Sequence, residues 1–261
     1  MKFSRQVNRK SIEGKRHPDR DRQFHYIESQ LRKAERLGQP AISVDYKKKE
    51  LVGSFRNGGS DYRPEGGPIR VNTHDFPTKA GGKVTPYVVF CMVLNMAWVS
   101  VGISCDTSKF AVNAIRRWMR EICRVYYPEC TDLWITADSG GSNGARVRLW
   151  KLELQKPADE FGIRIHVYHY PPGTSKYNKV EHKCNCRISA NWRGTPPTDH
   201  ETILRRIAAA TTEAGRPKIK CALDRRNSKR GIKVTDKELE SLNIKGHSFH
   251  LDWNYTVSPR F

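Results

Sequence analysis

Several things are missing from this chain of 261 residues. No apolar run reaches the ~20 residues that a membrane helix needs. The longest, Tyr87 to Ile103, is interrupted by Asn95 and rich in β-branched residues, so it reads as two buried strands. The opening Met1-Lys2-Phe3-Ser4-Arg5 leads into a polar stretch with no apolar signal-peptide core. The seven cysteines are an odd number at irregular spacing, with no CxxC pair, which argues against a disulfide framework. These absences place the chain in a reducing cytoplasm, without membrane partners. There is no internal repeat, no low-complexity tract and no GxxxxGK[ST] phosphate loop. Acids are scarce as well: 27 Asp and Glu face 47 Lys and Arg, leaving a net charge of +20. Such an excess points to a polyanionic partner. Hydrophobic residues, at 37%, are still sufficient for a substantial core, which excludes general disorder.

Along the chain, residues 1–40 read as a basic arm followed by one helix carrying Phe24, Ile27 and Leu31, ended by Gly38-Gln39-Pro40. Ala41-Ile42-Ser43-Val44 is a short buried strand finishing on Asp45, and Leu51 to Phe55 is expected to form a second. Three Gly-Gly pairs and three prolines make 57–83 a loop insertion. Strands at about 85–94 and 97–104 follow. Asp106-Thr107-Ser108 then supplies a cap for a helix with Ala111, Ile115, Trp118, Ile122 and Val125 on one face. Leu133 to Ala137 is another buried strand ending on an acid, Asp138, before the turn Ser139-Gly140-Gly141-Ser142-Asn143-Gly144. A helix at about 145–161 should be kinked or divided by Pro157. A strand from Ile163 to Tyr168, a helix from Ser175 to Ala190 and another near 198–214 complete the pattern, before a basic run, Arg216 to Lys233. An antiparallel start that switches to βαβ units implies an α/β fold, a ribonuclease-H-like mixed sheet flanked by helices. The expected division is a core over 41–194 and a helical, basic extension over 195–261.

Asp45 and Asp138 both follow buried strands, where open α/β sheets place ligands; turn or cap duty is the plainer alternative. Glu181 lies at the edge of an apolar arc formed by Tyr177, Val180, Cys184 and Ile188. Its helical neighbours three and four positions away, Tyr177, Asn178, Cys184 and Asn185, include no base. A carboxylate pressed towards the core without a counter-charge calls for a cation. Together the three acids are a donor set for Mg²⁺ or Mn²⁺, and two such ions about 4 Å apart suit an in-line phosphoryl displacement. Lys47, Lys176, Lys179, Lys183 and Arg187 are candidate DNA contacts, as is the Arg216–Lys233 run. Cys184 and Cys186, with His166, His169 and His182, read as structural residues rather than zinc ligands. Asp106 is expected to be a helix N-cap, with an accessory role near the site as the alternative for it and for His74-Asp75. The glycine turn after Asp138 suits close approach of the backbone to metal or DNA.

Long, ordered segments also carry a resemblance. They are Ile42-Ser43-Val44-Asp45 with Lys47 to Gly53, Ile135-Thr136-Ala137-Asp138 with Ser139 to Gly144, and Pro171-Pro172-Gly173-Thr174-Ser175-Lys176-Tyr177-Asn178-Lys179-Val180-Glu181-His182. Asn191-Trp192-Arg193-Gly194 and Trp253-Asn254-Tyr255-Thr256 extend it over nearly the whole chain. This pattern resembles a family of bacterial insertion-sequence DDE transposases. The resemblance implies a ribonuclease-H-like core that cuts DNA at transposon ends and joins a 3′ hydroxyl to target DNA. Asp45, Asp138 and Glu181 then stand at the metal-binding triad. It further implies a multimer on paired DNA ends, at work on the nucleoid. One departure is that only about 40 residues precede Asp45, holding one helix where a helix-turn-helix region is usual. The alternatives are a catalytically incompetent DNA-binding remnant, or a nuclease that only hydrolyses.

Overall fold

The computed structural model describes residues 3, 4, 6, 17–74, 76, 81–211 and 217–260. Most of the expected basic arm (1, 2, 5 and 7–16), five positions of the loop insertion (75 and 77–80) and 212–216 of the segment before the basic run lie outside the described residues, as does 261. The apolar runs form one mixed sheet of nine strands. Ala41–Tyr46 (β1), Lys83–Cys91 (β3) and Met96–Gly102 (β4) make an antiparallel meander, turned at Asn95 by a positive φ of 50°. Asp132–Ala137 (β5) then lies parallel to β1, and Arg164–His169 (β6) parallel to β5. The central order β4-β3-β1-β5-β6, with only β3 antiparallel to its neighbours on both sides, is the ribonuclease-H-like arrangement anticipated from the order of elements.

Parallel neighbours need crossover connections, and helices supply them. Ser108–Trp118 (α2) runs through a π-helical turn, Met119–Cys123, into Arg124–Tyr126 (α3), and Arg148–Phe161 (α4) joins β5 to β6. These helices cover one face of the sheet, where Trp118 and Trp150 are fully buried beside Ile42, Val44, Ile135 and Val167. Truncating either tryptophan would cost about 3–5 kcal/mol. On the opposite face, Arg20–Arg36 (α1) packs Ile27 and Ala34 on Trp134 and Tyr168. Beside it, Cys186–Asn191 (α5) and His200–Ala208 (α6) bring Ile188, Ile203 and Ile207 onto Val88, Phe90, Val99 and Val101. Among the described residues no helix is long and apolar enough to cross a membrane.

Several local expectations are corrected. The second strand shrinks to Glu50–Leu51 (β2), because Gly53 turns the backbone at φ 146° and Phe55 folds back onto its carbonyl. Val125, expected on the buried face, is exposed: the π turn inserts an extra residue and rotates the last turn outward. Pro157 sits inside α4 without dividing it, buried between Leu154 and Ala158, so packing overrides the break. The basic run holds Lys218–Asp224 (β7), parallel to β4, in which exposed Lys218 and Lys220 flank buried Ile219. Charged residues at this register suit the edge strand that it is. Nor is 195–261 a helical extension. After Asp236–Glu240 (α7), Ile244–Gly246 (β8) and Asn254–Val257 (β9) pair with each other, and β9 adds to β6, so the segment lengthens the same sheet at both edges.

The two remaining matched motifs have structural uses. Asn254 is fully buried and clasps Gln23 of α1 amide to amide, at 2.7 and 2.9 Å. Gly194 adopts φ 66° under the loop insertion, and a Cβ there would fall 2.5 Å from the backbone of Ser60 and Asp61.

Candidate active site

Register sets two of the acids together. Ser43 pairs with Thr136 across the parallel strands β1 and β5, and the same step carried two residues onward puts Asp45 level with Asp138. Neighbouring strands lie about 4.8 Å apart. Alternation sends Ile42, Val44, Leu133, Ile135 and Ala137 into the α2–α4 layer, and Asp45 and Asp138 to the other side. Both acids line a cleft of about 800 Å³ at the strand ends, with Tyr46, Asp106 and the turn Ser139–Asn143 in its walls.

The third acid approaches from the segment above that side of the sheet. The continuous helix expected from Ser175 to Ala190 is instead a 3₁₀ turn, Ser175–Tyr177, then a π turn, Glu181–Asn185, then α5. Val180, Cys184 and Ile188 are fully buried. Tyr177, expected on the same arc, is exposed, and so is Glu181. Glu181 is therefore not pressed into the core. Its Oε2 accepts a hydrogen bond from Asn185 Nδ2 at 2.8 Å, an uncharged partner one turn on.

Electrostatics tie the three acids together. Burial pushes the Asp45 carboxyl up to about 7, the negative charge of Asp138 adds to this, and Glu181 contributes less; a 2.7 Å hydrogen bond from the Tyr46 N–H opposes them. Burial and Glu181 likewise raise Asp138, against a 3.1 Å hydrogen bond from Asn178. Among the described residues, no Lys or Arg forms an ion pair with any of the three, and their donor atoms do not all lie within 4.8 Å of one another. Mutually repelling carboxylates without a counter-charge fit a hard divalent cation, which prefers oxygen ligands.

Asn178 is the residue that sequence reasoning missed. It is fully buried, and its Nδ2 donates to Val44 O at 3.2 Å as well as to Asp138. Its Oδ1 accepts from Ser43 Oγ and from Val180 N, the latter at 3.3 Å. One side chain thus joins the strand bearing Asp45, the carboxylate of Asp138 and the residue before Glu181. A short amide three positions ahead of Glu181, at the start of a helical turn, was the available signal.

Other candidates separate. Lys47 is buried: its ammonium lies 3.0 Å from Glu50 and 4.2 Å above the Trp192 ring, so it is not an open DNA contact. Lys176, Lys179, Lys183 and Arg187 are all exposed. Asp106 is not the cap of α2. Thr107 takes that role by accepting from Phe110 N, while Asp106 lines the cleft and holds Lys49 and Arg230 at 2.9 and 2.7 Å. Arg230, from the basic run, therefore reaches the cleft rim. His74 is exposed against Phe76, and Asp75 lies outside the described residues. His166 is bonded to Asp132 and Thr256, His169 lies behind Asp138, and Cys184 is core, as expected of structural residues.

With this geometry in hand, residues 1–259 match the family described as "Rhodopirellula transposase DDE domain". The chain belongs to this transposase family. Comparison with curated proteins gives no match. Among solved structures the transposase is similar to the "Mos1 transposase paired-end complex with left transposon end", at 13% identity and a TM-score of 0.47, over 78% of this chain and 58% of that one. It is also similar to the "Mos1 Strand Transfer Complex", at 12% identity and a TM-score of 0.48, over 78% of this chain and 57% of that one. The chain thus spans less than three-fifths of the length of these solved relatives.

Proposed function

We propose that this chain is the catalytic part of an insertion-sequence transposase, which cuts DNA at element ends and joins the freed 3′ hydroxyl to target DNA. Asp45, Asp138 and Glu181 are its ligands for Mg²⁺ or Mn²⁺, two ions in all. The observation that carries this reading is the pair of aspartates lining one cleft at the ends of two adjacent parallel strands, with Asp45 held up at about 7 by burial and by the other two acids. Bound there, divalent cations would supply Lewis-acid activation of the attacking oxygen and stabilisation of the departing one.

The chain's own residues do the rest. Asn178 holds the Asp138 carboxylate and the β1 backbone in one orientation. Asn185 turns Glu181. Exposed Lys176, Lys179, Lys183 and Arg187 face phosphates beside the acids, and Lys49 and Arg230, gathered by Asp106, do the same at the cleft rim. On this reading the protein acts as a multimer on paired ends, on nucleoid DNA in the cytoplasm.

The test is purified protein with Mg²⁺ or Mn²⁺ and labelled DNA carrying the element ends. Cleaved and joined products are expected, and both should vanish in Asp45→Asn, Asp138→Asn and Glu181→Gln while binding at low salt persists. Activity surviving in Asp138→Ala would overturn the assignment. Cut ends without joined product would mark a hydrolytic nuclease, and binding with neither product would mark a remnant.

A further inference from the structure

Across the cleft from the aspartates, a second set of donors converges. His17, Asp19 and His250 bring one ligand atom each to within 4.8 Å of one another, the one such group of three among the described residues. They come from opposite ends of the sequence, and His17 and His250 line the same cleft as Asp45 and Asp138. We propose that these three residues form a site for a borderline transition metal, Zn²⁺ by preference, fastening the segment before α1 to the turn before β9.

Three features favour a site over a chance ion pair. Asp19 stands at the N-cap of α1, where an aspartate ordinarily accepts from the helix N–H groups, yet its carboxylate makes no capping bond. It turns Oδ2 to His250 Nε2 at 2.9 Å, while Arg22 holds Oδ1 at 3.1 Å. His250 sits at φ 46°, a region few residues other than glycine adopt, and Trp253 N and Asn254 N both donate to its carbonyl there. Trp253 also fixes both rings: it stacks on His250 at 4.2 Å and meets His17 edge-on at 4.8 Å. The third donor, His17, is held beside the Asp19–His250 pair by its own contacts: its Nδ1 accepts from Asp19 N at 3.2 Å, and its ring lies 5.3 Å from that of His250.

Two imidazoles and one carboxylate suit Zn²⁺, whose bonds of about 2.0–2.2 Å leave a fourth position for water. The oxygen-only set of Asp45, Asp138 and Glu181 suits Mg²⁺ or Mn²⁺, so the two sites differ in metal class. Tetrahedral bonds of that length place donors about 3.4 Å apart, so the 2.9 Å contact between Asp19 and His250 would open by about 0.5 Å, within reach of side-chain rotation.

The test uses chelator-treated full chain carrying Asp45→Asn and Asp138→Asn, so that the cleft carboxylates do not capture zinc. Competition with a chromophoric chelator should show one tightly bound Zn²⁺ per chain, accompanied by a rise in melting temperature. His17→Gln and His250→Gln should each abolish both. Asp19→Asn, the mildest change, should weaken zinc binding at least about tenfold, as removal of a ligand should exceed the effect of losing an outer-shell partner. Absence of tight zinc in the parent overturns the proposal. So does unchanged stoichiometry in a folded His17→Gln/His250→Gln protein, which would assign the ion to cysteines.

Discussion

Asp45→Asn should stabilise the metal-free protein while abolishing its activity. The folded chain raises this carboxyl from 3.8 to about 7, chiefly by burial and then by Asp138. One pKa unit corresponds to about 1.4 kcal/mol, so the full shift is worth about 4 kcal/mol. Because the side chain is only half-buried, solvent screening reduces this to about 2 kcal/mol. The sign follows from linkage. An acid whose folded pKa is raised favours the protonated form on folding, so its contribution is intact below pH 4 and is lost as pH rises through about 7. Metal-free wild type should therefore lose about 2 kcal/mol between pH 4 and pH 8 through this group, and Asp45→Asn should not. The Asn Oδ1 can still accept from Tyr46 N, so the backbone is undisturbed. Urea unfolding in EDTA at pH 4.5 and pH 8 measures both proteins. The variant should be the more stable at pH 8, with the gap closing at pH 4.5 and again when Mg²⁺ is added to wild type at pH 8. A variant no more stable than wild type at pH 8, or a gap independent of pH, refutes the reasoning.

Asn178→Ala removes four hydrogen bonds from a fully buried position and leaves Ser43 Oγ without its acceptor, so about 3 kcal/mol of stability should disappear in denaturant unfolding. The same change frees Asp138 from the amide that opposes its upward shift, so the acid limb of the cleavage pH profile should move to higher pH. Each of Lys179→Gln, Lys183→Gln and Arg187→Gln should flatten the dependence of log affinity on log salt by about 0.9 for every phosphate that the removed charge had neutralised. Lys47→Gln should leave that slope unchanged and lower the melting temperature, since its charge is spent on Glu50 and Trp192.

Legibility in the sequence tracked how strongly a segment's own chemistry decides its surroundings. β1, β3, β4, β5 and β6 were readable because continuous apolar, β-branched runs have few other uses. Acids that end two such runs were readable as candidate ligands for the same reason, although the cleft that they share depends on a strand order that only the folded sheet reveals. β7 was hidden because Lys218 and Lys220 resemble any solvated basic run until an edge is known to exist. β8 and β9 are three and four residues long, too short for periodicity. Glu181 and Lys47 failed in opposite directions for one cause. Helical phase placed Glu181 inward, and the split into 3₁₀, π and α turns carried it out; composition placed Lys47 outward, and Trp192, distant in sequence, covered it.

Through β9 the C-terminal segment supports the end of the sheet that carries Asp138, and one tautomer shows how. His169 is fully buried, and burial pushes its imidazole down to about 4, so it is neutral with a single N–H. Its Nδ1 lies 3.0 Å from the carbonyl of Asp138, which can only accept, so the proton must be on Nδ1. Nε2 is then a lone pair, and the Tyr255 hydroxyl of β9 donates to it at 3.1 Å. β9 thus holds the histidine in the form that fixes the Asp138 backbone. Tyr255→Phe should leave Nε2 without a donor and allow the other tautomer, which turns a lone pair on the carbonyl. About 1–3 kcal/mol of stability should be lost, with cleavage falling and DNA binding retained. Nitrogen NMR of the imidazole should report the Nδ1–H form in wild type and a mixture in the variant. If Tyr255→Phe keeps full stability with His169 wholly in the Nδ1–H form, β9 serves only to close the sheet.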